Sequence, residues 1–224
     1  CIRDSVTARS INAEGTITSA LAGAGADGAS FAPFTTEVLA NNSLASQLKM
    51  VARLIAARNE LGNKRQVFFV AMSGFDLHDN LLGGHNTLLD RLSLAMAAFQ
   101  QSMVNLGVND KVTAFTASDF GRTLTSNGDG SDHGWGSHHF VVGGAVKGKA
   151  FYGKAPPVSV GNGTGAEDQW HVGSGRLLPS TSVDQYAATL ARWFGVGSGE
   201  LSGILPNVGH FGSADYPLDL GFLS

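Results

Sequence analysis

The sequence predicts a layered α/β fold with a largely parallel sheet, and three observations carry that expectation. Residues 66–72, Q-V-F-F-V-A-M, are apolar on both faces, as a central strand covered from either side would be. A long helical pattern follows at residues 85–106, with Leu88, Leu92, Ala95, Met96 and Phe99 on one face and Gly107 as its stop. Beyond it, residues 111–117, K-V-T-A-F-T-A, give a second strand pattern, and residues 140–142 a third. Strand, helix and strand in that order suit a parallel sheet. In open sheets of this kind ligands sit beyond the carboxyl ends of the strands, where the loops converge.

The remaining elements are read in chain order. Residues 1–34 are rich in Ala, Gly, Ser and Thr without a sustained period and are expected to form an irregular N-terminal segment, with residues 35–224 as a single α/β domain. Asn42 or Ser43 caps a helix to about Leu61, whose inner face carries Leu44, Leu48, Val51, Leu54 and Ile55. After Ala145 the alternation breaks down, with a hairpin expected around Gly148 and surface loop at residues 158–178. Thr181 or Ser182 opens a last clear helix to about Phe194, with Tyr186, Leu190, Trp193 and Phe194 facing inward and Ser182 with Gln185 as a capping box. A short helical turn near residues 201–205 closes the pattern.

Composition narrows the function classes. A net charge of −3 and a pI near 6.1 leave no basic face for nucleic acid. No stretch of eighteen apolar residues exists to span a membrane. The single cysteine, Cys1, excludes an intramolecular disulfide and leaves the compartment open. No initiator Met is present, so the chain reads as starting partway through a longer product. Neither a Walker-type nor a dinucleotide glycine pattern follows a strand, which sets nucleotide binding aside.

The chemistry concentrates in two loops. Residues 74–80, G-F-D-L-H-D-N, follow the first strand pattern with Asp76 and His78 on alternate positions, where an extended loop turns both to one side. Residues 116–144 carry Asp119, Arg122, Asp129, Asp132, His133, His138 and His139 through a glycine-rich stretch, and three of the seven histidines fall within seven residues there. Asp132-His133 is the strongest ligand pair, because Gly134 beside it permits close backbone approach to a cation. Of the adjacent His138 and His139, at most one faces a site if they begin a strand. Asp119 and Arg122 leave two alternatives open: an ion pair that holds the loop, or a carboxylate ligand beside a guanidinium that binds an anion. Asp129 and Asp79 read as turn residues, Trp135 and Trp193 as packing residues, and His171 and His210 as loop residues outside any site. If the metal reading holds, the donor atoms of Asp76, His78, Asp132 and His133 should converge within about 4–5 Å of a common point.

The motifs S-D-F-G-R-T, D-H-G-W-G-S-H-H-F-V-V-G-G-A-V-K-G and S-V-D-Q-Y-A-A-T-L-A-R-W-F-G, with G-F-D-L-H-D upstream, resemble the family catalogued as domain of unknown function 1501 over residues 30–224. The resemblance implies an alkaline-phosphatase-like α/β three-layer sandwich. It implies one or two divalent metals (zinc, calcium or magnesium) held by Asp76, His78, Asp132, His133 and one of His138 and His139, of which His139 is taken as the ligand; Asp119 and Arg122 are then the catalytic candidates from the loop itself. It implies hydrolysis of phosphate or sulfate esters on small anionic substrates, and export through a twin-arginine signal to the periplasm or beyond. The chain departs from the pattern in three places: the tight Asp76–His78 spacing, Leu77 where Thr is commoner, and Lys149 where Gly is usual. It is similar to the C-terminal half of such proteins, so the nucleophile and a further metal aspartate are expected from an N-terminal half or a second chain. The competing expectation is a non-catalytic exported structural or binding protein that retains the fold.

Overall fold

The computed structural model describes residues 2–23, 28–161, 163 and 165–224; Cys1 lies outside them. The chain divides into two compact units, Cys1–Gly74 with Asn86–Val112, and Phe75–His85 with Thr113–Ser224.

In the first unit the N-terminal segment, expected to be irregular, is helical over Ile2–Gly23 (α1). Its alanines favour helix, but the segment lacks the apolar stripe that would announce one in a sequence. Helix α2, Ser43–Ala56, follows the expected pattern more closely. Its Leu44, Leu48, Val51 and Ile55 are buried, each contributing about 1.5–3 kcal/mol relative to exposure. Leu54 packs instead against Ala20, Leu21 and Ala57. Asn42 is the N-cap, and it is buried because its carboxamide serves two elements at once. Oδ1 accepts from the Ala45 amide at 3.1 Å, and Nδ2 donates to the Arg91 carbonyl at 2.8 Å. Arg91 belongs to α3, Leu81–Asn105, which starts earlier than the expected residue 85 and buries Ala95, Ala98, Phe99 and Met103.

The three-layer sandwich with a largely parallel central sheet is not what this chain forms. Among the described residues its strands make two separate two-stranded antiparallel sheets. Residues 66–72, expected as the central strand, form no strand, and Val67 and Phe69 are 77% and 92% exposed. Ala71 is tethered, its amide and carbonyl bridged by the Gln47 carboxamide. Hydrophobicity on both faces shows that a segment gains from cover, but a strand is made by a neighbouring backbone, and among the described residues none pairs with this one. The second expected strand shrinks to β1, Thr113–Phe115. It pairs antiparallel with the third, observed as β4, Val141–Gly143, with Phe115 opposite Val141.

In the second unit the glycine-rich stretch between those strands is a hairpin. Strand β2, Gly121–Ser126, pairs antiparallel with β3, Ser131–Gly134, around a turn at Asn127-Gly128. The hairpin expected near Gly148 is a turn without strands, anchored by an isolated bridge from Val146 to Leu223. Helix α4, Val183–Phe194, has the expected capping box on Ser182 and Gln185 and stops at Gly195 in the left-handed conformation. Its fully buried positions are Gln185, Ala188 and Thr189, while Tyr186, Leu190, Trp193 and Phe194 are half-buried. Ala188 packs with Leu201 of α5, Leu201–Ile204, and with Val208. No helix among the described residues is long and apolar enough to cross a membrane.

Replacing Asn42 with Ala removes the α2 cap and the bond to the Arg91 carbonyl of α3. Urea unfolding should show a loss of about 1–3 kcal/mol, the sum of a typical N-cap loss and one further hydrogen bond.

Candidate metal centre

The site is assembled by docking the hairpin turn onto residues 75–81, all within the second unit. Asn127 closes the turn by accepting from the Gly130 amide at 2.9 Å, and its Nδ2 donates to the His78 carbonyl at 3.1 Å. The Leu81 amide, at the start of α3, donates to the Asp129 carbonyl at 3.1 Å. Gly130 makes the approach possible: a Cβ there would sit 2.3 Å from the His78 carbonyl oxygen. Gly121 is equally constrained on the other side of the hairpin, where a Cβ would fall 1.8 Å from the Gly136 carbonyl.

This docking gathers Asp76, His78 and His133, whose ligand atoms all lie within 4.8 Å of one another. Oδ1 of Asp76 is 2.7 Å from Nε2 of His133 and 3.1 Å from Nε2 of His78. Tetrahedral donors at metal bonds of about 2.0–2.2 Å stand roughly 3.3–3.6 Å apart, so small side-chain adjustments would bring these three around an ion. Two imidazole nitrogens and a carboxylate oxygen are a donor set suited to zinc, and the side chains are 46–64% exposed, which leaves coordination positions open to water. Asp132 stands outside the three, with its Oδ1 3.3 Å from the far ring nitrogen of His78, Nδ1, and 3.1 Å from Nδ2 of Asn127. The imidazoles of His78 and His133 stack at 5.0 Å, and Phe120 lies over the other face of His133 at 4.0 Å and 8°.

The remaining expected residues have other surroundings. His139 stacks on Tyr186 at 5.8 Å and is not among the clustered donors; burial, with His138 adding to it, holds its pKa below the ordinary imidazole value. Tyr186 is itself pushed upward by burial. Asp119 is exposed and, among the described residues, forms no ion pair with Arg122. Arg122 instead donates from Nη1 to the Ser131 carbonyl and from Nη2 to the Phe75 carbonyl. Trp135, read as a packing residue, is 64% exposed two residues beyond His133.

Three participants escape a reading of the sequence alone. Asn127 looks like a turn residue and is one, but Asn-Gly between two β-prone runs is also the strongest short signal for a hairpin, and a hairpin would have carried Asp132 and His133 to a defined edge. Phe120 gives no signal beyond its neighbours. Arg176 sits in a loop, yet its Nε donates to the His133 carbonyl at 3.1 Å and its charge helps hold the Asp132 carboxyl down.

Both carboxylates sit below the ordinary aspartate pKa of 3.8. For Asp76 the largest cause is the hydrogen bond from His133, and for Asp132 it is the bond from Asn127, followed by that from His78. A depressed carboxylate stabilises the fold above its unfolded pKa and loses that contribution as pH falls through its folded value. Without metal, stability attributable to these groups should therefore hold from neutral pH down to about 4 and fall below it. Urea midpoints measured against pH should show a shallower acid limb for Asp76→Asn.

One family's sequence model, described as protein of unknown function (DUF1501), matches residues 7–197. No curated protein and no solved structure matches the chain.

Proposed function

The chain belongs to the DUF1501 family of proteins of unknown function, and we propose that its Asp76–His78–His133 centre binds a divalent metal and hydrolyses phosphate or sulfate esters. The observation that carries this reading is the convergence of three donor atoms within 4.8 Å from two segments more than fifty residues apart, at an exposed edge. The motif resemblance to alkaline-phosphatase-like enzymes supports the choice of ester chemistry, and an exported setting goes with it. Neither draws on the sheet architecture of those enzymes.

When bound, the metal supplies a water of lowered pKa and a Lewis acid for the non-bridging oxygens. The chain's own groups do the rest. Asp76 and the two Nε2 atoms hold the ion. Asp132 accepts from Nδ1 of His78, which fixes the ring's orientation and leaves Nε2 as the metal-facing nitrogen, and Asn127 in turn orients Asp132. Anion binding, for which Arg122 is a natural candidate in sequence, falls to Arg176, because the terminal nitrogens of Arg122 are directed at backbone carbonyls. Arg176 meets the hairpin through Nε and Gly173 through Nη1, at 3.3 Å. Among the described residues its Nη2 has no protein acceptor, and a guanidinium edge is suited to a tetrahedral oxyanion.

Zinc titrated into the chain by calorimetry should bind with a stoichiometry of one. Asp76→Ala and His133→Ala should each weaken it at least about tenfold, and affinity should fall on acidification because the imidazole ligands must shed protons. Absence of a stoichiometric divalent ion would sink the reading in favour of a non-catalytic role. On aryl phosphate and aryl sulfate, Arg176→Ala should raise KM by about tenfold with zinc affinity retained, the loss expected for one charge-assisted hydrogen bond.

A further inference from the structure

Arg122, like Asn127, is in hydrogen-bond contact with both segments that bear the donors, and its partners are informative. The carbonyl it holds at Phe75 belongs to the peptide unit leading into Asp76, and the carbonyl at Ser131 to the unit leading into Asp132 and His133. Across the β2–β3 ladder Arg122 is paired with His133 itself. Its Cζ lies 5.6 Å from the centre of the Phe120 ring, and that ring lies flat on the His133 imidazole at 4.0 Å. Guanidinium and imidazole thus both contact the Phe120 ring, and the two forked bonds tie the same guanidinium to the backbone.

We infer that Arg122 and Phe120 are positioning residues for the metal donors, setting the separation and ring orientation of Asp76 and His133 before any ion arrives. The inference rests on the metal-binding reading above. Asp76 and His133 are exposed side chains on segments 57 residues apart, and nothing in their own rotamers fixes the distance between them. Gripping the Phe75–Asp76 peptide unit fixes the plane from which the Asp76 side chain departs, and gripping the Ser131–Asp132 unit anchors β3 one residue ahead of His133. Phe120 then limits the tilt of the imidazole from one face, while His78 covers the other. A planar fork can reach two carbonyls in different segments at once. A lysine ammonium is a compact charge on a flexible stem and does not reproduce that span.

The test is a titration of wild type, Arg122→Lys, Arg122→Met, Phe120→Leu and Phe120→Tyr with Co2+, followed by visible absorption, and with Zn2+, followed by calorimetry. Far-UV circular dichroism and urea midpoints monitor the fold. Arg122→Lys and Phe120→Leu should bind about 10- to 100-fold more weakly, the range expected when the support of a ligand is lost. Their cobalt bands should be shifted or weakened, a change that loss of stability alone does not produce. Phe120→Tyr, which keeps the stack, should bind as wild type does. Wild-type affinity and an unchanged cobalt spectrum in Arg122→Lys would overturn the inference while leaving the metal reading intact. If the Arg122 variants do not fold, the Phe120 pair decides: equal affinity and spectra for Leu and Tyr would overturn it. A wild type that binds neither ion defeats the metal reading, and this inference with it.

Discussion

The second unit depends on the seating of a hairpin turn against the loop that follows Gly74. Beside the carboxylate–imidazole pairs, the ties across that seam involve a backbone group on at least one side: Asn127 to the His78 carbonyl, the Leu81 amide to the Asp129 carbonyl, and Arg122 to the Phe75 carbonyl while it also holds the Ser131 carbonyl. Backbone partners hold position more firmly than paired surface side chains do, since only one end of each bond is free to rotate away. The seam also tolerates no Cβ at Gly130. Asp76, His78, Asp132 and His133 meet because these contacts bring their main chains together, and their mutual attraction is a consequence of the meeting.

That ordering bears on what the charged cluster is for. Exposed carboxylate–imidazole pairs contribute little to stability, and less in salt, because water screens them and ordering both side chains opposes the gain. The two Arg122 bonds to backbone carbonyls, by contrast, are charge-assisted and part-buried. A structural hydrogen-bond network would gain by being buried and fully partnered. This one leaves roughly half of each side chain in solvent and points three donors at one volume. Such an arrangement gives little to the fold, which is what the proposed metal-binding role requires.

The contrast between what the sequence discloses and what it does not has a physical pattern. The clustering of Asp76, His78 and His133 is legible because metal-ligating residue types at short spacing single these positions out. Helices α2 and α4 are legible because their signals are local: an apolar stripe in each, a capping side chain at Asn42 or Ser182, and for α4 a terminal glycine at Gly195. The sheet is not legible, because pairing is a property of two segments and residues 66–72 advertise only one. Helix α1 escapes for the opposite reason: its sequence has no stripe to read. Arg122 shows the intermediate case. Its importance can be suspected from S-D-F-G-R-T, but its partners are carbonyl oxygens, which every residue possesses and no motif records.

Residues 66–72 have a consequence for the material itself. The run contains no proline and no charge, is dominated by Val and Phe, and keeps most of its amides and carbonyls free of protein partners among the described residues. A row of this kind is a template on which another extended chain can add, and identical chains in a concentrated solution are the most abundant supply. Self-association of the isolated chain is therefore expected to rise with its concentration. A charge introduced at Phe69, whose side chain is almost wholly in solvent, would act as a gatekeeper against self-assembly without disturbing the buried core.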